Sequence, residues 1–287
     1  MDFWDEVRAG WDRAAAAVDT AAAASPVTMR PMLPFSLMRT QVPIALTGHS
    51  GAGKTMIYRS LTGRTRNHSL PTARSDRVER HRARIRTPRG TFRAETHIPP
   101  GQASDPRTHG LERIMTGGRY PAGVIHTVCW GYNKIWPEEQ NGVLNALSDV
   151  EGKPVTLESL TERNRREELA DFADICGRLT RAWRRRTDVW LIVVAAKADL
   201  YWDDLDRARD YYIPRGRRGG DSEFAALLAD LVEAVGTMNL RRVAVVPFSC
   251  WLETYQVGRD VRVAPQLDAT HSSRLMNSFL SLVGNTV

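Results

Sequence analysis

The sequence predicts an α/β protein in three layers: a mostly parallel β-sheet with helices on both faces, preceded by an N-terminal helical extension. Three observations lead there. From about residue 40 onward, short apolar runs alternate with segments of helical period, the mark of repeated strand–helix units. Ahead of them, Phe3, Val7, Trp11, Ala14 and Val18 recur at helical spacing. The length of 287 residues and a hydrophobic fraction of 42% suffice for one large domain or two small ones with a sizeable core.

The first helix is expected over residues 2–24, where alanines supply high helix propensity, and Pro26 ends it. A Pro- and Met-rich connector with Pro31 and Pro34 follows, so the chain divides into an extension at 1–38 and a main domain at 39–287. The stripe of Phe3, Trp4, Val7 and Trp11 needs an apolar cover. Packing on the body of the same chain is the favoured reading. A protein partner or a membrane interface are the alternatives. The polar face mixes Asp2, Asp5, Glu6 and Asp12 with Arg8 and Arg13, which disfavours a membrane.

Strands are expected at Val42–Thr47, Val78–Arg86, Thr91–Ile98, Gly123–Trp130, Val189–Ala195 and Arg242–Pro247. Helices are expected at Lys54–Leu61, Thr108–Met115, Leu157–Arg186, Phe224–Val235 and Ser272–Val283. The run Thr87-Pro88-Arg89-Gly90 reads as the turn of a hairpin. Two insertions, near 133–156 and 201–221, are long enough to be functional. The second holds Trp202, Tyr211 and Tyr212, expected to be exposed contact residues.

The formal net charge is +7. Arginine carries it, since Lys54, Lys134, Lys153 and Lys197 are the only lysines. This balance suits phosphates, acidic partners or anionic surfaces, and equally a solvated arginine-rich surface. Cys129, Cys176 and Cys250 form no CxxC pair, and His49, His97, His109 and His126 have no metal-ligand spacing. With no signal core and no bilayer-length apolar run, a cytoplasmic setting is expected.

Chemistry concentrates in Gly48-His49-Ser50-Gly51-Ala52-Gly53-Lys54-Thr55, with Met56 next in the helix that follows. It fits Gly-x4-Gly-Lys-Ser/Thr, between an apolar strand and a helix, the context that pattern requires. Glycines let the backbone curl so that several N–H groups point inward. Those donors and the helix N-terminus form a positive nest for phosphate. Lys54 is expected to reach the terminal phosphates, and Thr55 to offer its hydroxyl to Mg2+.

Further along, the strand Val189–Ala195 runs into Ala196-Lys197-Ala198-Asp199, and the next strand ends in Pro247-Phe248-Ser249-Cys250. With the phosphate loop, these resemble the motifs of the Ras-like P-loop GTPases, a family related to the translation factors, and the chain looks like a divergent bacterial-type member from about residue 40 onward. The resemblance implies the three-layer P-loop NTPase fold, with a six-stranded sheet flanked by helices and one strand antiparallel. It implies GTP or GDP with Mg2+ as ligand. Lys197 would lie along the purine, and Asp199 would accept from guanine N1 and the 2-amino group. Ser249 and Cys250 would form the loop touching the guanine oxygen. Ala196 departs from the usual Asn or Thr, and Cys250 from the usual Ala.

The resemblance also implies two switch regions. Thr72 stands near the place of the magnesium-sensing threonine, with Thr62 and Thr65 as competitors. Ile98-Pro99-Pro100-Gly101-Gln102 stands where Asp-x-x-Gly-Gln belongs. Gly101 fits the γ-phosphate contact, and Gln102 the catalytic role of orienting water. Ile98 replaces the aspartate that anchors a magnesium-bound water. Glu95 and Asp105 are alternative carboxylates, although Glu95 points to the opposite strand face.

Arg80, Arg82, Arg84 and Arg86 share one face of the second strand. They form either a solvated edge or a docking face for an acidic protein partner. Nucleic acid is disfavoured because interleaved aromatics are missing. The expectation is a slow GTPase acting as a regulatory switch or assembly component. A non-hydrolysing nucleotide-dependent adaptor is the alternative. An ATP-using P-loop enzyme is less favoured, because Asp199 suits guanine.

Overall fold

The computed structural model describes residues 2–19, 41–64, 78–101, 104–116, 120–133, 156–216, 222–257 and 261–287. Their main body is a six-stranded sheet in the order β2-β3-β1-β4-β5-β6. The strands are β1 (Val42–Gly48), β2 (Glu79–Thr87), β3 (Gly90–Ile98), β4 (Gly123–Val128), β5 (Val189–Ala195) and β6 (Leu240–Pro247). Only β2 runs antiparallel, paired with β3 across the Pro88-Arg89 turn, and every other pairing is parallel. Six strands with one antiparallel is the sheet the sequence resemblance implies.

The helices are α1 (Phe3–Ala16), α2 (Lys54–Thr62), α3 (Asp105–Thr116), α4 (Leu157–Trp183), α5 (Leu205–Tyr212), α6 (Glu223–Val235) and α7 (Ala269–Thr286). Alternation along β5 shows the layering. Leu191, Val193 and Ala195 face a core cluster built with Leu111, Phe172, Leu179, Phe224 and Leu228 from α3, α4 and α6. Trp190, Ile192 and Val194 face the opposite cluster, with Ile57, Leu61, Phe279 and Val283 from α2 and α7. All seven residues of β5 are buried, as a strand covered on both faces must be.

The N-terminal stripe packs on the body of its own chain. Trp4, Val7, Trp11 and Val18 are buried in the main cluster, and α1 touches β6, at one edge of the sheet, together with α7. Arg8 bonds Asp210 and donates to Ile213 O, Arg209 pairs with Asp12, and Arg274 bonds Val18 O. The helix is shorter than expected. It ends at Ala16 in a turn through Asp19, just where the last buried contact, Val18, is made. Alanine propensity does not extend it through that turn, because packing outweighs propensity. The remainder of the expected helix and the proline-rich connector lie outside the described residues.

Two further corrections concern the 201–221 insertion and the segment after β6. The described part of the insertion, residues 201–216, forms one short 3-10 turn (Trp202–Asp204) and α5. Its aromatics are not exposed: Tyr201 and Tyr212 are buried, and Trp202 and Tyr211 pack against the same cluster. They cover the loop after β4, a task that composition alone cannot distinguish from surface contact. After β6 the chain adds a small hairpin, β7 (Tyr255–Val257) with β8 (Val261–Val263), which the sequence reading missed. Nearly all of the 133–156 insertion lies outside the described residues.

Candidate functional site

Strand β1 delivers the glycine-rich loop. Gly48 has φ 132°, and a Cβ there would lie 2.3 Å from the carbonyl oxygen of Thr127 on β4, so glycine alone fits. Gly53 is the N-cap of α2 at φ 106°, and no side chain caps the helix. The first-turn N–H groups are therefore left for an anion. Lys54 folds back over the loop, and its Nζ donates to Gly48 O at 2.8 Å and His49 O at 3.0 Å. Burial lowers its pKa to about 8, with Asp171 opposing that shift and Arg107 adding to it. Ala52 is buried in the core, Ser50, Gly51 and Met56 are half-buried, and Thr55 is exposed on the first turn of α2.

The end of β3 comes up against this loop. A Cβ at Gly101 would lie 2.5 Å from Lys54 Nζ and 2.6 Å from Ser50 Cα, so the Gly101 backbone lies against the glycine-rich loop and its lysine. Ile98 is 4% exposed and packs with Ile57, Ala52 and Leu46. Neither alternative carboxylate replaces it. Glu95 is held by Arg80 and His97; burial pushes its carboxyl up, but the Arg80 hydrogen bond and the charges of Arg80, His97 and Arg82 together keep its pKa low. Asp105 is exposed at the start of α3. Thr72 and Gln102 lie outside the described residues.

On the other side of the loop, the chain leaving β5 brings Ala196 against Gly53, where an added Cβ would be 3.6 Å from that of Ala196. Lys197 takes a left-handed conformation, φ 57°. Its Nζ donates to Tyr132 O at 2.7 Å and stands 5.7 Å above the Tyr255 ring of the extra hairpin. Asp199 is 1% exposed. Its Oδ1 accepts from Ser249 Oγ at 2.7 Å, and Ser249 in turn is bonded to Ser272 Oγ of α7. Asp199 Oδ2 is buried with no partner among the described residues. A buried acceptor so placed suits a ligand bearing N–H donors. Cys250 is half-buried, and burial pushes its thiol up to about 12, with Ser60 of α2 opposing the shift.

Beneath these loops lies a polar layer that the sequence reading did not find. Glu168 of α4 accepts from Cys129 N at 3.0 Å, Cys129 Sγ at 3.2 Å and Tyr212 OH at 3.2 Å. Tyr212 OH accepts from Trp130 N at 2.8 Å, and Asn164 Nδ2 donates to Gly131 O at 2.8 Å. These bonds hold the loop after β4, where Trp130 and Gly131 both have positive φ, so that Tyr132 O meets Lys197. Asn133 then reaches the glycine-rich loop, its Nδ2 3.0 Å from His49 Nδ1. Burial raises the Glu168 carboxyl to about 7 despite the hydrogen bonds from Cys129 and Tyr212 that favour its charged form.

A second buried group joins α3 to α4. Arg107, 5% exposed, bonds Asp171 and donates to Pro100 O at 3.0 Å. Deeper still, His126 Nδ1 stands 3.0 Å from Thr47 Oγ1. Burial, reinforced by the charges of Arg107 and Lys54, lowers its pKa to about 3, so it is neutral.

A signal for this layer is present in the sequence. Asn164, Glu168 and Asp171 recur at i, i+4 and i+7, and the same face continues in Phe172, Ile175, Leu179 and Trp183. The polar half of a core stripe looks like a solvent face until its apolar continuation is followed.

No protein-family model matches the chain, and a search of curated proteins finds no match. Among the described residues no helix is long and apolar enough to cross a membrane.

Proposed function

We propose that the chain binds a guanine nucleotide with Mg2+ and hydrolyses GTP slowly, as a regulatory switch or assembly component. The observation that carries this reading is the meeting of two features at Gly53 and Ala196, where a Cβ added to Gly53 would lie 3.6 Å from that of Ala196. One is an uncapped helix behind a lysine-bearing glycine loop. The other is a loop whose buried carboxylate, Asp199, is half satisfied. Phosphate fits the first, through inward N–H groups and the Lys54 ammonium. The second suits guanine, whose N1–H and 2-amino group both donate. Adenine offers neither and would leave Asp199 Oδ2 unpaired.

The residues fit magnesium in part. Thr55 presents an exposed hydroxyl beside the loop, and the ion would neutralise phosphate charge there. Ile98 offers no anchor for a metal-bound water. That lack supports the second reading, a nucleotide-dependent adaptor that does not hydrolyse. In either case an acidic partner segment would suit the exposed arginines of β2, since Arg82, Arg84 and Arg86 project from an edge strand. The setting consistent with this role is cytoplasmic.

The deciding experiment identifies the nucleotide retained by the purified chain, then competes GTP against ATP. Retained guanine nucleotide and preference for GTP are expected. A preference for ATP would overturn the reading.

A further inference from the structure

Half-buried Lys54 and buried Arg107 bring two cations to one end of the sheet, and the buried carboxylate of Asp171 pairs with Arg107. Their link is short. Arg107 Nη1 donates to Pro100 O at 3.0 Å, and the next residue, Gly101, packs so closely that a Cβ would stand 2.5 Å from Lys54 Nζ. Arg107 is 5% and Asp171 9% exposed. Asp171 Oδ1 meets the guanidinium, and its Oδ2 is buried without a partner among the described residues. With Lys54 beside the Arg107–Asp171 pair, two cations share one carboxylate, a local balance that favours an added anion.

We propose that Arg107 is the residue by which this site distinguishes a nucleoside triphosphate from a diphosphate, its guanidinium contacting the terminal phosphate while Asp171 holds it in place. The inference rests on the reading of Gly48–Thr55 as a phosphate loop. A planar guanidinium suits a terminal phosphate because two parallel N–H groups can meet two of its oxygens. Lys54 lies over the loop itself and serves both nucleotides. Arg107 reaches the Gly101 side of Lys54 through its bond to Pro100 O, the side on which this proposal puts the third phosphate. Arg107 sits at the third residue of α3, and its backbone N–H meets Ser104 Oγ at 3.4 Å. A shift of the Arg107 guanidinium toward a ligand would release Pro100 O, next to Gly101, or carry it along. Burial lowers the Lys54 pKa, and the charge of Arg107 adds to that shift, which places the two cations within electrostatic reach of each other.

A plain structural brace between α3 and α4 is the competing role, and affinity ratios separate the two. Arg107→Ala alone would strand Asp171 in the interior and endanger folding. The principal variant is therefore Arg107→Met with Asp171→Leu, which removes both charges and leaves the net charge unchanged. Equilibrium titrations of the full-length chain with GTP and GDP, each with Mg2+, give the result directly. Expected is GDP affinity within about threefold of the parent, with the preference for GTP over GDP reduced at least about tenfold, the scale of one charge-assisted hydrogen bond. An unchanged ratio, or an equal loss of both affinities, would overturn the proposal and leave Arg107 as a brace. If ATP binds the parent as tightly as GTP, the guanine reading fails on its own, and the ATP to ADP ratio still decides Arg107.

Discussion

Ser249 Oγ donates a 2.7 Å hydrogen bond to Asp199 Oδ1 and so ties the loop after β6 to the loop after β5, leaving Asp199 Oδ2 buried and unpartnered among the described residues. One oxygen is fixed by the protein and the other is left for a donor. Asp199→Asn keeps the shape and the contact to Ser249 but turns the second oxygen into a donor or pairs it wrongly. GTP affinity should fall at least about 30-fold, the order of a hydrogen bond to a charged group. Xanthine nucleotide should gain, because its second carbonyl accepts from the new amide. Competition among GTP, ATP and XTP measures this, and an unchanged order of preference would remove Asp199 from the base site.

Lys54→Ala should abolish most triphosphate binding, by about 100-fold or more, because several charge-assisted bonds would end on that ammonium. Stability should not fall with it. The folded protein lowers the Lys54 pKa from 10.5 to about 8, so at neutral pH folding works against its charge. Titration with labelled GTP and a thermal melt on the same sample test both halves. Retained binding would mean that the loop does not hold phosphate.

Glu168→Gln should produce a pH-dependent gain in stability. The folded state raises this carboxyl from 4.5 to about 7 through burial. Between those values the folded protein binds more protons than the unfolded chain. Wild-type stability therefore falls, relative to the variant, as pH rises from about 4.5 to 7, by on the order of 3 kcal/mol in all. Glutamine presents the hydrogen-bonding pattern of the protonated acid: an oxygen for Cys129 N and a donor toward Tyr212 OH. Denaturant melts of both proteins at pH 5 and pH 8 check it. A stability difference independent of pH would show that Glu168 titrates normally.

The N-terminal helix belongs to the folded unit in the same way. Trp11 is 1% exposed in the main cluster, and Trp11→Ala should cost about 3–5 kcal/mol. Deleting residues 2–24 should lower the melting temperature and expose apolar surface on β6 and α7. A truncated chain with an unchanged melting temperature would make α1 an independent appendage.

Local pattern made much of this legible. The β5 strand is a continuous apolar run with the same bounds in sequence and structure, because burial on both faces leaves no polar position to blur it. The loop at Gly48 to Lys54 was legible because its glycines answer backbone needs that no other residue meets. Tyr212 was misread because its value lies in a contact 82 residues away, to Trp130 N. Arg107, Glu168 and Asp171 were missed for a related reason. A charged residue on a helix is ordinarily solvated, and only the packing of α3 and α4 over the sheet shows that these are enclosed. The hairpin at 255–263 has strands of three residues each, too short to display a period.

Ile98 is where the candidate site departs furthest from the pattern it resembles, and Ile98→Asp tests what that departure does. Ile98 is 4% exposed among Ala52, Ile57 and Leu46, so a carboxylate there is placed in an apolar setting at the end of β3. Without ligand the variant should be less stable by on the order of 3 kcal/mol, as for other unpaired buried charges. A magnesium ion beside Thr55 would give that carboxylate a counter-charge and an ordered water to accept from. The variant should therefore recover part of the loss when Mg2+ and GTP are added together, gaining more in melting temperature than wild type does and depending more steeply on Mg2+. Binding linkage sets the scale, about 2.7 kcal/mol for a ligand at 100 times its Kd. Wild type, lacking the carboxylate, should bind GTP readily and turn it over slowly, because phosphoryl transfer relies on positioned charge. Single-turnover assays and thermal melts across a magnesium titration supply both readings. Equal ligand-induced shifts in the two proteins would show that position 98 faces only the core and that the metal, if it binds, lies elsewhere.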